Sequence, residues 1–235
     1  MGLIDAARNS RHDTETGRVS LGHTHHNAVF DVSWSDDDTL LATASGDMSV
    51  RLWDVERRER VAQLGGATGT VKQVAWQSPH VLATASRDGT IRVYDKRIGS
   101  QDDDDDDEGD SVACVNYIRN AHGARGKRPS RARQGSAVRS VTSLAFARGA
   151  LGEHTLISAG SADSVLKAWD LRSSYKRFVN PPAAETTELA SGELGAIRQH
   201  GVLSMALSPD GQTIYAASSD NQCVPFTFAA RSCGR

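Results

Sequence analysis

A sequence pattern that occurs four times constrains the fold of this chain more than any other feature. In each copy an Asp lies six residues before an aromatic residue, and a short run containing Ala and Ser precedes that Asp. The four pairs are Asp47 and Trp53, Asp88 and Tyr94, Asp163 and Trp169, and Asp220 and Phe226. The first two Asp residues are 41 residues apart, and self-similarity at such a period indicates stacked structural repeats.

Each copy is predicted to form short β-strands joined by tight turns. Apolar and β-branched runs alternate with turn sequences such as Ser-Pro-Asp-Gly at residues 208–211, which is typical of strands connected by hairpins. A period of about 40–45 residues with four strands per unit is typical of a WD-repeat blade. We therefore predict an all-β fold, a WD-repeat β-propeller with about four blades in this chain.

The repeat spacing also predicts how the chain is divided. The later Asp residues are 75 and 57 residues apart, so we expect insertions between blades. Both ends resemble incomplete blades, and residues 222–235 match no propeller strand. We therefore expect part of a larger ring, since closure leaves no sheet edge unpaired; a closed four-bladed ring is the less favoured alternative. The predicted divisions are a remnant of a preceding blade at 1–20, two consecutive blades at 21–97, a charged disordered insertion at 98–136, a third blade at 137–172, a proline-containing loop at 173–200, a degenerate fourth blade at 201–228 and a tail at 229–235.

The first repeat has the residues for a buried hydrogen-bond relay of the kind common in WD-repeat proteins. Such a relay joins the turn Asp to a His, a Ser or Thr and the strand Trp, and it stabilises a blade only when every member is satisfied. The corresponding His position is Ala67 in the second repeat and Ala137 in the third, so we expect one complete relay. We predict a structural rather than a catalytic role for its members, which are His25, Thr43, Asp47 and Trp53.

The insertion after the second repeat has two oppositely charged halves. Residues 102–107 are six consecutive Asp, and Glu108 and Asp110 follow; such a run is expected to be solvated and disordered. The basic half is a candidate nuclear-import patch or a weak nucleic-acid contact. Without an accompanying helix pattern, sequence-specific DNA binding is not expected. The basic candidates are Lys127, Arg128, Arg131 and Arg133.

Several function classes have no support in the sequence. There is no apolar run of eighteen residues, so no membrane partner is expected. A Gly-rich phosphate loop, a Gly-x-Ser-x-Gly motif and a metal-spaced His pair with a carboxylate are all missing. The net charge of −2 does not indicate a general nucleic-acid binder. We predict a non-catalytic protein with no cofactor and no metal.

Four stretches of the sequence resemble one particular protein family. Residues 26–34, 44–47, 158–163 and 167–175 resemble the denticleless family, and residues 2–8 resemble its fungal members. The resemblance covers most of residues 1–180. It implies a seven-bladed propeller in the nucleus, acting as a substrate receptor of cullin-4 RING ubiquitin ligases. It further implies that protein substrates, replication and cell-cycle proteins among them, are bound to the sliding clamp when they are recognised.

The resemblance also implies a docking motif, Trp-Asp-x-Arg, whose Arg contacts the adaptor damaged-DNA-binding protein 1. Residues 169–172 match it fully, residues 94–97 match with Tyr for Trp, and residues 53–56 end in Glu. The candidate adaptor-binding residues are Asp95, Arg97, Asp170 and Arg172. Two alternatives stay open here. Each Arg can pair only locally with its Asp, and the chain can be a generic nuclear WD-repeat scaffold with no ubiquitin role.

Overall fold

Fifteen β-strands make up the regular structure in the described part of the chain. The computed structural model describes residues 25–99, 112–123, 140–147, 152–178, 182–183, 185–188 and 201–227. The strands form four antiparallel sheets, each of three or four strands in chain order. The predicted all-β fold is confirmed, and four such consecutive sheets are what part of a β-propeller contains.

The sheets follow one another along the chain. The first consists of β1 (Val29–Trp34), β2 (Leu40–Ser45), β3 (Val50–Asp54) and β4 (Glu59–Leu64). The second consists of β5 (Val71–Ser78), β6 (Val81–Ser86), β7 (Ile91–Gly99) and β8 (Val112–Ile118). The third consists of β9 (Val141–Phe146), β10 (Thr155–Gly160), β11 (Val165–Asp170) and β12 (Glu185–Glu188). The fourth consists of β13 (Val202–Leu207), β14 (Thr213–Ser218) and β15 (Cys223–Thr227).

The prediction that residues 98–136 form one disordered insertion is wrong for their middle part. Strand β7 continues to Gly99, and β8 (Val112–Ile118) pairs with it as the fourth strand of the second sheet. The physical reason is the sequence Val-Ala-Cys-Val-Asn-Tyr-Ile, whose apolar and β-branched residues favour a strand. Ile118 is fully buried. The acidic run at 102–110 and the four basic import candidates lie outside the described residues.

Two further segments also form strands that the sequence analysis did not predict. Strand β12 (Glu185–Glu188) lies within the predicted loop 173–200 and pairs with β11. Strand β15 (Cys223–Thr227) lies in the stretch that matched no propeller strand. It contains Pro225, which has no amide hydrogen to donate, but β15 is the last strand of its sheet and an edge strand tolerates proline.

The core lies between consecutive sheets rather than within any one of them. Three apolar clusters each combine residues of two neighbouring sheets. Trp76 packs against the first sheet, for example, and Trp169 is fully buried in the cluster shared by the second and third sheets. Each large apolar side chain buried in this way contributes roughly 1.5–3 kcal/mol. Every described sheet therefore depends on a neighbour for its stability.

Candidate functional site

Antiparallel strand order places the turns of each sheet at two opposite edges. The turns between first and second strands, and between third and fourth strands, share one edge. We call this edge the arginine edge, because Arg97 lies there near the end of β7 and Arg172 lies there just after β11. The turns between second and third strands lie at the opposite edge with Asp47, Asp88 and Asp163. We call this second edge the relay edge.

The structure brings together all four residues of the predicted relay in the first sheet. His25 Nδ1 lies 2.8 Å from Asp47 Oδ2, and His25 Nε2 lies 2.8 Å from Thr43 Oγ1. Trp53 Nε1 donates to the same Thr43 oxygen at 3.0 Å. Burial alone would raise the pKa of Asp47, but hydrogen bonds from Ser49, His25 and the backbone outweigh it and hold that pKa below its ordinary value.

A second complete relay is present in the third sheet. His122 Nδ1 lies 2.7 Å from Asp163 Oδ2, and its Nε2 lies 2.8 Å from Ser158 Oγ, to which Trp169 Nε1 donates at 2.8 Å. The prediction of a single relay is therefore wrong. Residues 123–140 separate His122 from β9, so counting backwards from β9 reached Ala137 instead. Counting forwards from the end of β8 would have found this His.

In the second sheet, different donors stabilise the turn between β6 and β7. Where the first sheet has a His, the Thr68 amide and hydroxyl donate to Asp88 Oδ2 at 2.9 and 3.0 Å. Tyr94 replaces the Trp, and its hydroxyl donates to the Gly65 carbonyl at 2.6 Å. The pKa of Asp88 is lowered, because hydrogen bonds from Thr90 and Thr68 outweigh the effect of burial, which would raise it. This sheet therefore has no His relay.

The distances among Ser158, His122 and Asp163 are those of a nucleophile, a base and an orienting carboxylate. Burial argues against that chemistry. His122 and Ser158 are fully buried, and the Ser158 oxygen also accepts the Trp169 N–H. A catalytic triad needs a pocket in which substrate reaches the nucleophile. We interpret the group as structural.

At the arginine edge, each candidate arginine forms a bidentate ion pair with the Asp two residues earlier in the sequence. Arg97 Nε and Nη2 donate to the two carboxylate oxygens of Asp95 at 2.9 and 2.6 Å. Arg172 does the same to Asp170 at 2.9 and 2.7 Å. Hydrogen bonding from each Arg lowers the pKa of its Asp. The local pairing that the sequence left open is therefore present in both motifs.

The same two arginines line a single cleft between the second and third sheets. The Arg97 and Arg172 side chains are 62% and 73% exposed. The cleft has a volume of about 1080 Å³. Polar and apolar residues contribute about equally to its lining, and the apolar ones include Trp76, Val81, Val93, Val115, Phe146 and Leu171. Two motifs that lie 75 residues apart in sequence thus present their guanidinium groups to one concave, partly apolar surface.

No group of three or more His, Cys, Asp or Glu side chains is placed to hold a metal ion in the described residues. No helix in that part of the chain is long and apolar enough to span a membrane.

The chain matches known proteins at two levels. The family described as "WD domain, G-beta repeat" matches residues 18–54, 58–95 and 192–224. The chain is 32% identical to a denticleless protein homolog of Xenopus tropicalis over 86% of its length, covering 28% of that protein. It is 31% identical to the human denticleless protein homolog over 87% of its length, covering 28% of that protein. It is 35% identical to cell division cycle protein cdt2 of Schizosaccharomyces pombe over 91% of its length, covering 41% of that protein.

The family match covers much of the first, second and fourth sheets and none of the third. The chain therefore contains WD repeats. Within that class it is a homologue of the denticleless proteins, which confirms the resemblance read from the sequence. It spans between about a quarter and two fifths of the length of these relatives.

Proposed function

We propose that this chain carries part of a substrate receptor of a cullin-4 RING ubiquitin ligase and that it is not itself catalytic. In this proposal the cleft at the arginine edge docks on the adaptor damaged-DNA-binding protein 1. The observation that carries the proposal is the convergence of Arg97 and Arg172 on one cleft. The substrates are replication and cell-cycle proteins bound to the sliding clamp, and the receptor acts in the nucleus. The relative named for the cell division cycle supports this setting.

The Asp–Arg pairs suit a docking role because they fix the arginines before a partner arrives. A guanidinium has five N–H donors in a rigid fork. Each Asp occupies two of the side-chain donors of its Arg, so the other donors can meet carbonyl or carboxylate oxygens of a partner. A side chain that is already ordered loses less conformational entropy on binding. Local pairing therefore supports docking rather than competing with it.

The mixed lining of the cleft supports a protein partner. Trp76 and Phe146 contribute to it, as do Arg97 and Arg172. A surface that combines aromatic residues with arginines resembles the composition of protein interfaces, where both are enriched. We expect the adaptor to place an apolar side chain in the cleft and oxygen atoms against the arginines.

The test is co-purification of the adaptor with the wild-type chain and with a double variant, Arg97→Ala with Arg172→Ala. Loss of a single hot-spot arginine costs about 2 kcal/mol or more, so we expect the double variant to bind at least about thirtyfold more weakly. A lysine double variant keeps the charge but removes the fork, and we expect it to bind weakly too.

Arg57 supplies the matched control. It follows β3 in the equivalent turn of the first sheet, is 77% exposed, and its Nε lies 3.7 Å from Asp54 Oδ2. Arg57→Ala removes one exposed charge without touching the cleft, so adaptor binding should be unchanged. If the adaptor co-purifies equally with the cleft double variant, the proposal is wrong and a scaffold without a ubiquitin role becomes the better explanation.

A further inference from the structure

Arg172 lies in a tight turn at the end of β11, and we call residues 170–175 the Arg172 turn. The first residue of this turn is bonded to the last, because the Asp170 amide donates to the Tyr175 hydroxyl at 3.2 Å. The Tyr175 ring also meets the Trp169 ring edge-on, with the two centroids 5.6 Å apart. Tyr175 is only 5% exposed. The Arg172 turn is therefore a compact unit with its two ends fixed to each other.

A side chain of the second sheet binds this turn. Asn116 of β8 donates from Nδ2 to the Ser173 carbonyl at 2.9 Å, and its Oδ1 accepts from the Tyr175 amide at 3.0 Å. The same Oδ1 accepts from the Tyr117 amide at 2.9 Å. The two bonds to the Arg172 turn join residues that are 57 and 59 positions apart in sequence. They connect the end of the third sheet to the second sheet.

The position of Asn116 in its sheet does not by itself require a polar residue. Asn116 lies opposite Val93 of β7, whereas in the first sheet Ala62 lies opposite the equivalent residue, Leu52. Asn116 is 6% exposed. A buried amide destabilises a fold unless its polar atoms are hydrogen-bonded, and both polar atoms of Asn116 are bonded. Such a satisfied polar network makes the groups that it joins more rigid.

We propose that Asn116 is a positioning residue for adaptor docking. It lies on β8, which pairs with the strand β7 that carries Arg97, and it binds the turn that carries Arg172. It thereby sets the separation of the two guanidinium groups across the cleft. This inference rests on the proposed function, since that separation matters for docking only if both arginines meet one partner.

Asn116→Ala should weaken adaptor binding although both arginines are still present. Without the side-chain amide, the Arg172 turn is no longer bonded to the second sheet and has to be ordered when the adaptor binds. Ordering a flexible side chain on binding lowers affinity, and we expect a loss of about three- to tenfold. A titration of the full chain with the adaptor measures it. An unchanged affinity, where Arg172→Ala weakens binding, would overturn this inference and leave the proposed function intact.

A double-mutant cycle with Arg172→Ala separates positioning from other roles of Asn116. If Asn116 acts through Arg172, Asn116→Ala causes no further loss of affinity in the Arg172→Ala background, so the two losses do not add. A direct contact of Asn116 with the adaptor, or a general loss of folding, would weaken binding equally in both backgrounds and would contradict the proposal. If Arg172→Ala alone leaves the affinity unchanged, the proposed function fails, and this inference fails with it.

Hydrogen exchange followed by mass spectrometry tests the positioning without the adaptor. In Asn116→Ala we expect faster exchange in residues 171–178 and unchanged exchange in β10, because the lost bonds lie in the Arg172 turn. Unchanged exchange in residues 171–178 would show that Asn116 does not hold the turn. Faster exchange that extends through β10 would show that Asn116 supports the whole third sheet. Either result would overturn the proposal.

Gln73→Ala is the matched control for both measurements. The Gln73 side chain is also an amide that joins the second and third sheets, since its Oε1 accepts from the Leu144 backbone amide. Gln73 belongs to neither the cleft lining nor the Arg172 turn. We expect Gln73→Ala to leave the adaptor affinity and the exchange of residues 171–178 unchanged. A loss of affinity equal to that of Asn116→Ala would show that any weakening of this sheet junction reduces docking, against a specific role for Asn116.

Discussion

The turn between second and third strands is held by a His relay in the first and third sheets and by two threonines in the second. Asp47, Asp88 and Asp163 occupy the same position in all three. Their donors differ: His25 and His122 in the outer two sheets, Thr68 in the middle one. The Asp is therefore the constant element of the turn. The relay is one of several ways to satisfy its carboxylate.

The two His relays differ in how many other donors their Asp has. This difference predicts the largest loss of stability for a single substitution. Asp47 has further donors, since both the amide and hydroxyl of Ser49 bind its Oδ1. Asp163 has no hydrogen-bond partner at Oδ1 in the described residues, and Lys167 Nζ lies 4.0 Å from its Oδ2. We therefore expect His122→Ala to lower the free energy of unfolding by about 3–5 kcal/mol, the range for breaking a buried pair.

His25→Ala is the matched comparison for that measurement. We expect it to cost about 1–3 kcal/mol, because it removes a hydrogen bond but leaves Asp47 satisfied by Ser49. Urea denaturation of both variants beside wild type measures the difference. Equal losses would show that the additional donors to Asp47 contribute nothing to its relay.

We expect the free energy of unfolding of the wild-type chain and of His25→Ala to depend differently on pH. The pKa of Asp47 lies below its ordinary value of 3.8. The folded state therefore binds this proton less readily than the unfolded state. The stability that follows is fully present above the ordinary pKa and is lost as pH falls through the lowered one. In His25→Ala one of the hydrogen bonds that lower this pKa is gone, so the variant should lose less stability during acidification.

Urea unfolding at a series of pH values between about 5 and 2 measures this difference. Asp47→Asn should remove the contribution of this carboxylate altogether and serves as the limiting case. Parallel pH profiles for wild type and His25→Ala would show that His25 does not help to set the pKa of Asp47.

Much of the fold could be predicted because the repeat fixes both period and strand pattern. The relay of the first sheet followed from His25 lying at the expected distance before β1. The two Asp–Arg motifs were also visible as local patterns. Features that depend on one fixed offset within a repeat are readable from a single sequence.

What the sequence analysis missed depends on contacts across insertions or between sheets. His122 and β8 lie next to charged segments. The sequence analysis therefore assigned them, with those segments, to one disordered insertion. The convergence of Arg97 and Arg172 on one cleft joins two sheets. No local offset encodes such a contact, because it depends on how the sheets pack.

In the second sheet, where Thr68 takes the place of the His, we expect a smaller loss of stability. Thr68→Ala removes the hydroxyl that donates to Asp88 but keeps the backbone amide that donates to the same oxygen. Asp88 Oδ1 still accepts from the Thr90 amide and hydroxyl. We expect a loss of about 1 kcal/mol, the usual net value of one hydrogen bond, measured by urea denaturation. A loss as large as that of His122→Ala would mean that the two turns depend equally on one donor.

The residue after the turn Asp gives the smallest and most local test of the comparison. Its φ is positive in all four sheets, at 68° for Met48, 78° for Gly89, 49° for Ser164 and 66° for Asn221. Only the second sheet has glycine there, and glycine adopts this conformation without steric cost. Met48→Gly should therefore raise the free energy of unfolding by about 0.5–1 kcal/mol, while Gly89→Ala should lower it by a similar amount. If Met48→Gly destabilises the chain instead, the side chain of Met48 contributes more than its backbone strain costs, and the backbones of the four turns are not equivalent in energy.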